Sequence, residues 1–411
     1  MALQLFFLLL PAFSFAQAPS RALGLPEAYS LALARSEELA QKAESAAEAW
    51  ARVDELWSAV KPQITLNGTY FYQDDSKLAS NRRDKPQAGI SAAQTVFTGL
   101  RDILAVRVGQ AQGRSSDLDL QRAKDALYLD VAAAYLDLFD LQSELAIRRN
   151  LVGITLDRIK ELKDRQKIGR TRKSEVMAAE AQLAGYEADL TMAQRRELDS
   201  QEKLRFLTGL AEALAPQPLT LAPAGPLEGF LDAARRRADV EARRRDSEAA
   251  GLSVDIARRA RWPVVSFGGN YWLKRLAPLD DVDWDVSLTG SLPLYEGGRI
   301  SAQTRQAEQR RRKAEQALSL ALRKAELEVR TAFDDLGAGQ AAVAALEKAV
   351  AAAEANARSQ AEDYRLGVVT NLDVLGALNS FQQARLRLEQ ARDDVLLSRI
   401  RLDVAAGEAK R

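Results

Sequence analysis

The sequence repeats one pattern at a fixed spacing, and this repetition constrains the fold more than any other feature. Three pairs of segments correspond: VFTGLR at 96 with LYEGGR at 294, VAAAYLDL at 131 with VRTAFDDL at 329, and KIGRTRKSEV at 167 with RLGVVTNLDV at 365. The offset is 198 residues in every pair. Chance similarity between alanine-rich helices does not keep register in this way, so the sequence predicts an internal duplication.

Each half presents its elements in the same order. A helical stretch (about 25–60 and about 227–261) ends at Pro62 or Pro263, because proline cannot continue a helix. Two strand-like segments, a very long helix, a glycine and a second long helix follow. The predicted divisions are a signal peptide (1–18), a first repeat (19–214), a linker rich in proline (215–226), a second repeat (227–406) and a tail (407–411).

The first residues have the composition of a secretory signal. A short apolar run precedes Ala16-Gln17-Ala18, a pattern of small residues typical of a cleavage site. No lysine or arginine precedes Arg21, which departs from the usual positive start. A buried N-terminal helix is the alternative. We expect an exported protein.

The composition removes several classes of chemistry. The chain has no cysteine and no histidine, so it lacks disulfides, thiolate nucleophiles and the commonest general base and metal ligand. Lys+Arg (58) and Asp+Glu (57) nearly balance, which gives no overall attraction to nucleic acid. We find no nucleophile–base pair, phosphate loop or metal cluster. The sequence predicts no enzyme, no cofactor and no metal.

The strand-like segments alternate between apolar and polar residues. In the segments 64–72, 265–273 and 284–294 one face is apolar or aromatic and the other is small and polar, and 87–97 alternates less clearly. Each run has about the 9–11 residues that a tilted membrane strand needs. A half-buried antiparallel sheet in a soluble domain is the alternative. Four strands cannot close a barrel, so membrane strands would require several chains, and three chains would supply about 12 strands.

Two helices of unusual length follow the strand pairs, at about 100–166 and 298–364. Each would be roughly 100 Å long at 1.5 Å per residue. Their apolar positions recur with alternating spacings of four and three residues: Leu127, Val131, Ala134, Leu138, Leu141 and Leu145 in the first half, and Ala325, Val329, Ala332 and Leu336 in the second. This pattern predicts supercoiled packing against neighbouring helices, with an ordinary two-stranded coiled coil as the alternative.

Over residues of about 24–406 the chain resembles the outer membrane efflux protein family, the TolC-like exit ducts of Gram-negative bacteria. The duplication, the paired strands, LYEGGR with SAQTRQAEQ, and YRLGVVTNLDVLGA carry the resemblance. It implies a mainly α fold with membrane β strands, in which a trimer forms a 12-stranded β-barrel and a periplasmic α-helical barrel. It also implies an outer-membrane channel of an efflux pump or type I secretion system, which works with a periplasmic adaptor and an inner-membrane transporter.

A glycine interrupts each long helical run and is followed at once by a second helix. Gly169 and Gly367 are expected just beyond the helix ends, where the left-handed conformation favours glycine. Ser174, or Thr370 and Asn371, are candidates to cap the return helices. A hairpin corner explains both glycines without any functional role.

The resemblance assigns functional roles at these turns. It implies that Tyr364 and Glu175 close the entrance and that Asp373 lines it. An arginine of the family's entrance is Val369 here, and a second aspartate is Gly376. Stabilisation of the helix N-terminus is the alternative role for Asp373.

The resemblance also implies that the hairpin tips contact the adaptor. The residues concerned are Gly169, Arg170, Arg172, Gly367 and Thr370, and Lys173 adds to the basic character of the first tip. The competing hypothesis for the whole chain is a soluble periplasmic coiled-coil adaptor or scaffold. Two complete hairpins and the absence of a lipoyl-like β segment argue against it.

Overall fold

A computed structural model describes residues 21–72, 84–275, 279 and 281–408. The predicted signal peptide (1–18) and residues 409–411 of the predicted tail lie outside the described residues. The first half contains β1 (Arg21–Leu23), α1 (Leu25–Arg35), α2 (Glu37–Ser58), β2 (Gln63–Tyr72), β3 (Asp84–Phe97), α3 (Arg101–Lys167) and α4 (Lys173–Thr208). Strand β4 (Leu214–Pro216) lies between the halves, and the second half contains α5 (Leu227–Ala234), α6 (Ala238–Arg258), β5 (Val264–Lys274), β6 (Trp284–Ser291), α7 (Arg299–Arg365) and α8 (Asn371–Ala406).

The two helical hairpins have identical dimensions. Helices α3 and α7 have 67 residues each, and α4 and α8 have 36 residues each. Their first residues (101 and 299, 173 and 371) are again 198 positions apart. The predicted duplication of long hairpins with four accompanying strands is therefore confirmed in the fold.

The four longer strands form one antiparallel sheet in the order β2-β3-β5-β6, so strands from both halves meet at its centre. The register aligns Leu66, Ile90, Tyr271 and Trp284 in one row, and Thr65, Ser91, Asn270 and Asp285 in the next. The predicted apolar and polar faces are therefore present.

The apolar row of the sheet lies open. Leu66 is 73 % exposed and Trp284 is 66 % exposed. A half-buried sheet in a soluble domain would cover this face with a core. Among the described residues nothing covers it, and the edges β2 and β6 have no partner strand within the described chain.

The hairpins are held together where the predicted stripes meet. Val131, Ala134 and Leu138 are fully buried, as are Ala325 and Val329 in the second half. The first cluster also includes Leu204 of α4 and Ile400 of α8, so it joins both hairpins.

A small parallel pair, β1 with β4, connects the start of the described chain to the segment between the halves. The Tyr135 hydroxyl of α3 lies 2.8 Å from the carbonyl oxygens of Leu23 and Gln217 and accepts a hydrogen bond from the Gln217 amide at 2.7 Å. The first residues of the predicted linker are therefore ordered, because they pair with β1 and bind Tyr135. Burial raises the pKa of the Tyr135 hydroxyl, which keeps it neutral.

Three boundaries differ from the expected ones. The helical stretch 25–60 divides at Ser36, whose hydroxyl caps α2 by accepting from the Leu39 amide at 3.2 Å. The stretch 227–261 divides likewise, because Arg237, with ψ 147°, departs from the helical conformation before α6. Strand β6 ends at Ser291, two residues before Pro293, since proline has no amide to donate. In the described chain no helix is long and apolar enough to cross a membrane.

Candidate functional site at the hairpin tips

The first hairpin turns at Gly169. This residue has φ +72°, and its amide donates to the Gln166 carbonyl at 3.0 Å. The Arg170 amide donates to the Arg165 carbonyl at 2.9 Å. These two bonds form a Schellman motif, which satisfies the carbonyls left free at the end of α3.

The second hairpin turns in the same way at Gly367, with φ +77°. Its amide donates to the Tyr364 carbonyl at 3.1 Å, and the Val368 amide donates to the Asp363 carbonyl at 3.0 Å. The predicted left-handed glycines are confirmed at both tips. No atom lies within 4 Å of a Cβ added at Gly169 or Gly367, so backbone conformation alone favours glycine here.

A capping box begins the second return helix. The Asp373 carboxylate accepts hydrogen bonds from the Thr370 amide at 2.8 Å and from the Thr370 hydroxyl at 2.6 Å. The Thr370 oxygen in turn accepts from the Asp373 amide. The hydrogen bonds from Thr370 hold the pKa of Asp373 below its usual value, so the carboxylate stays charged at neutral pH.

The first return helix begins differently from the prediction. Helix α4 starts at Lys173 after an extended Arg172, and no side chain caps it. Ser174 therefore lies inside the first turn, and its predicted capping role is wrong. Asn371 is also no cap, because its side chain accepts a hydrogen bond from another helix.

Tyr364 lies in an apolar cluster that joins the two hairpins. It is 8 % exposed and packs among residues of the other three hairpin helices: Ile159, Leu162, Val176, Ala179 and Leu375. Val369, at the position where the resemblance implies an arginine, packs against the same cluster. The position is therefore apolar for a structural reason.

Two arginines of α3 lie against the ring of Tyr364. The guanidinium carbon of Arg158 lies 4.0 Å from the centroid of the Tyr364 ring, and that of Arg165 lies 5.0 Å away. Both distances are within the range of a cation–π interaction. Glu161 holds both arginines, with distances of 2.7 Å to Arg158 and 2.9 Å to Arg165.

Arg158 also binds the start of the second return helix. Its Nε donates to the Asn371 side-chain oxygen at 2.7 Å, and Asn371 is only 1 % exposed. The Arg158 Nη2 atom is buried and finds no hydrogen-bond acceptor among the described residues, as fits a guanidinium stacked on an aromatic ring. The contacts of Arg158, Glu161 and Arg165 were not predicted from the sequence, and Asn371 was expected only as a helix cap. The asparagine at the expected start of the return helix was the available sequence signal.

The structure brings the predicted entrance residues together only in part. Tyr364 joins the cluster above, and Asp373 is exposed in the first turn of α8. Glu175 is half-buried in the first turn of α4, next to Val176 of the cluster. In the described segments no hydrogen bond or ion pair joins the Glu175 carboxylate to Tyr364.

The two tips present different surfaces. At the first tip Arg170, Arg172 and Lys173 are exposed, and in the described part of the chain no carboxylate pairs with them. At the second tip Leu366 (78 %), Val368 (73 %) and Leu372 (64 %) are exposed beside Arg365, Thr370 and Asp373, and the first tip exposes the apolar residue Ile168 (66 %). The hairpins are thus alike in backbone and different in side-chain chemistry.

The comparisons with known proteins agree with this architecture. Residues 231–408 match the family described as outer membrane efflux protein. The outer membrane efflux protein BepC of Brucella suis is 26 % identical over 357 residues, covering 85 % of this chain and 78 % of BepC. The outer membrane protein TolC of Vibrio cholerae is 26 % identical over 397 residues, covering 93 % and 90 % of the two chains.

Solved structures share the fold. The crystal structure of the outer membrane protein VceC from Vibrio cholerae superposes with a TM-score of 0.82 at 22 % identity, over 93 % of this chain and 96 % of VceC. The likeness thus covers the sheet and both hairpins. Residues 231–408 thus match the outer membrane efflux protein family, and nearly the whole chain is similar to TolC-like proteins.

Proposed function

We propose that this protein is an outer-membrane exit duct, through which substrates delivered by an inner-membrane transporter and a periplasmic adaptor leave the cell. The sheet lies in the outer membrane and the helices extend through the periplasm. Both an efflux pump and a type I secretion system use a duct of this kind. Conduction through it is passive and needs no catalytic group.

One observation carries the proposal: an open sheet with an uncovered apolar face continues directly into helices of about 100 Å. Only three residues separate the end of β3 from the start of α3. In lipid every strand edge must be paired, so the edges β2 and β6 require neighbouring chains. A homotrimer pairs β6 of one chain with β2 of the next and closes a barrel of about 12 strands.

The duplicated elements support the proposed division of the chain. We place the first repeat at 19–214, the linker at 215–226 and the second repeat at 227–406. Residues 1–18 are assigned to a signal peptide and 407–411 to a tail. An export signal is what a protein of this location requires.

The hairpin tips form the proposed entrance. Tyr364, Glu175 and Asp373 are the residues assigned to it, and the contacts of Tyr364 with Arg158 and Arg165 support the assignment. Those contacts hold the second hairpin against the first. We assign Asp373 two roles, because an exposed carboxylate can cap a helix with one oxygen and still attract cations.

The same tips form the proposed adaptor contact. Gly169, Arg170 and Arg172 present a basic surface on the first hairpin, and Gly367 and Thr370 lie beside the apolar surface of the second. A photo-reactive residue at position 172 in living cells should cross-link to a periplasmic adaptor. Position 149 on the exposed side of α3 is the control, and equal labelling from both positions would count against a tip contact.

The native mass of the protein, extracted from the outer membrane in mild detergent, tests the duct itself. A mass near three chains is expected. A single chain, or protein that is recovered soluble without detergent, would contradict the duct and favour the adaptor or scaffold hypothesis.

A further inference from the structure

Four carboxylates and one amine share a cavity of about 410 Å³ between the two hairpins. Helix α3 contributes Asp137 and Asp140, helix α8 contributes Asp393 and Asp394, and helix α4 contributes Lys203. The cavity therefore lies on the seam between α3 and α8, where the first hairpin meets the second.

Three of the four acids at this seam are not remnants of the duplication, whereas Asp137 corresponds to Asp335 in the second repeat. The positions 198 residues before 393 and 394 are Arg195 and Arg196, which have the opposite charge. The position 198 residues after Asp140 is Ala338. Acidic residues thus face each other at this one junction between the repeats.

Few of these carboxylates have a partner. Asp137 accepts a hydrogen bond from the Ser200 hydroxyl at 2.7 Å. For Asp140, Asp393 and Asp394 no hydrogen bond or ion pair exists within the described part of the chain. Asp140 and Asp393 are half-buried, so water screens their mutual repulsion only partly.

The charged residues on the surrounding helices do not neutralise Asp140 and Asp393. On α3 and α4, Glu144 is held by Arg148 at 2.6 Å and Arg196 at 2.7 Å. On α8 and α7, Arg392 is occupied by Glu389 at 3.2 Å and Glu347 at 3.0 Å. Lys203 of α4 also acts on Asp130, outside this cavity.

Burial together with the neighbouring acids raises the pKa of both carboxyls. The pKa of Asp393 rises to about 7 through burial and through Asp140, Glu389 and Asp394. The pKa of Asp140 rises to about 6 through burial and through Glu144, Asp137 and Asp394, with Arg196 opposing the shift. A carboxyl with a raised pKa in the packed state favours packing when protonated, so the packed seam loses stability as the pH rises from about 4 to 7.

We propose that the α3–α8 seam is a proton-responsive joint between the hairpins. Protonation lets α8 pack against α3, and ionisation pushes the helices apart. Helix α8 also carries Asn371, which binds Arg158 of α3 at the tip. The tip and the cavity are 22 residues apart on α8, or roughly 33 Å along one rigid helix. If α8 moves away from α3 at the cavity, the rigid helix therefore transmits that movement to the proposed entrance.

The consequence for conduction depends on the proposed function, because the seam controls flow only if these helices enclose the duct. The test is the single-channel conductance of the purified full chain in a planar bilayer at pH 5 and pH 8. The variants are Asp393→Asn, which is uncharged at both pH values, and Asp335→Asn as a control. Asp335 is an exposed acid on α7 of the same hairpin.

The joint predicts higher conductance at pH 8 than at pH 5 for the unaltered protein and for Asp335→Asn. It predicts that Asp393→Asn keeps the low conductance at both pH values. If the conductance of the Asp393→Asn protein depends on pH in the same way as that of the unaltered protein, the proton-responsive joint is overturned. The proposed function as a duct is not affected by that result.

Assembled protein that conducts no ions at all would contradict the proposed function instead. Thermal unfolding of the same samples then tests the proposed joint. Asp393→Asn should raise the unfolding midpoint by a few degrees at pH 8, by less at pH 5, and not at all below about pH 4. If the Asp393→Asn protein and the unaltered protein unfold at the same temperature at both pH values, the joint is overturned.

Discussion

Arg158 and Tyr364, which belong to different halves of the chain, lie face to face with 4.0 Å between the guanidinium carbon and the ring centroid. This contact and the hydrogen bond to Asn371 connect the two hairpins at their tips. The connection lies within one chain, so in the proposed assembly each subunit carries its own contact between the hairpins at the proposed entrance.

Replacing Arg158 with alanine should loosen that fastening. The change removes a partly buried cation–π contact and a charged hydrogen bond, which are worth about 1–3 kcal/mol together. We expect higher conductance through a bilayer-inserted assembly at constant pH. Arg149→Ala, an exposed arginine on the same helix without an ion pair in the described chain, is the matched control. Equal conductance in both variants would show that Arg158 does not restrain the entrance.

The glycines at the tips should tolerate alanine poorly. Gly169→Ala or Gly367→Ala places a side chain in the left-handed conformation, at about 1–2 kcal/mol per site. Gly153→Ala is the matched control, since Gly153 lies inside α3 with open space around it. The control should raise stability by about 0.5–1 kcal/mol because alanine is the better helix former. Thermal unfolding should therefore give opposite signs, and a shared sign would contradict the assigned backbone conformations.

The capping box should stabilise the start of α8. Thr370→Ala removes the side-chain cap, and we expect a loss of about 1 kcal/mol and faster proteolysis at the second tip. Ser174→Ala is the control at the first tip, where no side chain caps the helix.

The capping box also predicts a pH dependence. The pKa of Asp373 is depressed, so its stabilisation is present above the ordinary carboxyl pKa and is lost as the pH falls through the lower folded value. Asp373→Asn should match the unaltered protein only in strong acid. A variant equal to the unaltered protein at neutral pH would argue that the carboxylate does not cap the helix.

A charged side chain on the apolar face of the sheet should prevent assembly in the membrane. Leu288→Arg places a cation on the face assigned to lipid, which costs about 2–4 kcal/mol near the bilayer centre. Its neighbour Thr289 lies on the opposite face, so Thr289→Arg is the control. The yield of trimer from the outer membrane should fall for the first variant and persist for the second. If both variants assemble equally well, the assignment of the two faces is incorrect.

The sequence allowed the hairpin geometry to be predicted because its signals are local. Glycine after each long helix, proline after each helical stretch and a seven-residue apolar period act over a few residues each. The boundaries of the long helices accordingly differ from the expected ones by about one residue. The break at Ser36 was missed, because the helical pattern continues on both sides of a single capping serine.

The tip contacts could not be predicted in the same way. Arg158 and Asn371 are 213 positions apart, and their meeting depends on how two hairpins align along α3 and α8. The acids at positions 140 and 393 come together for the same reason. Ordinary helix surfaces carry many such charges, so only the assembled seam distinguishes these residues from the others.

The identical hairpin lengths restrict how this chain can change its reach. A helix with a seven-residue stripe can lengthen without rotating that stripe only in whole heptads, or steps of roughly 10.5 Å. A step taken in one hairpin alone would leave its tip beyond the other, and the rim formed by successive subunits would become uneven. If this rim met a second ring of subunits end to end, only the longer hairpins would touch that ring, and the interface would lose about half of its contacts. Evolution of a longer or shorter form must therefore insert or delete matched heptads in both halves.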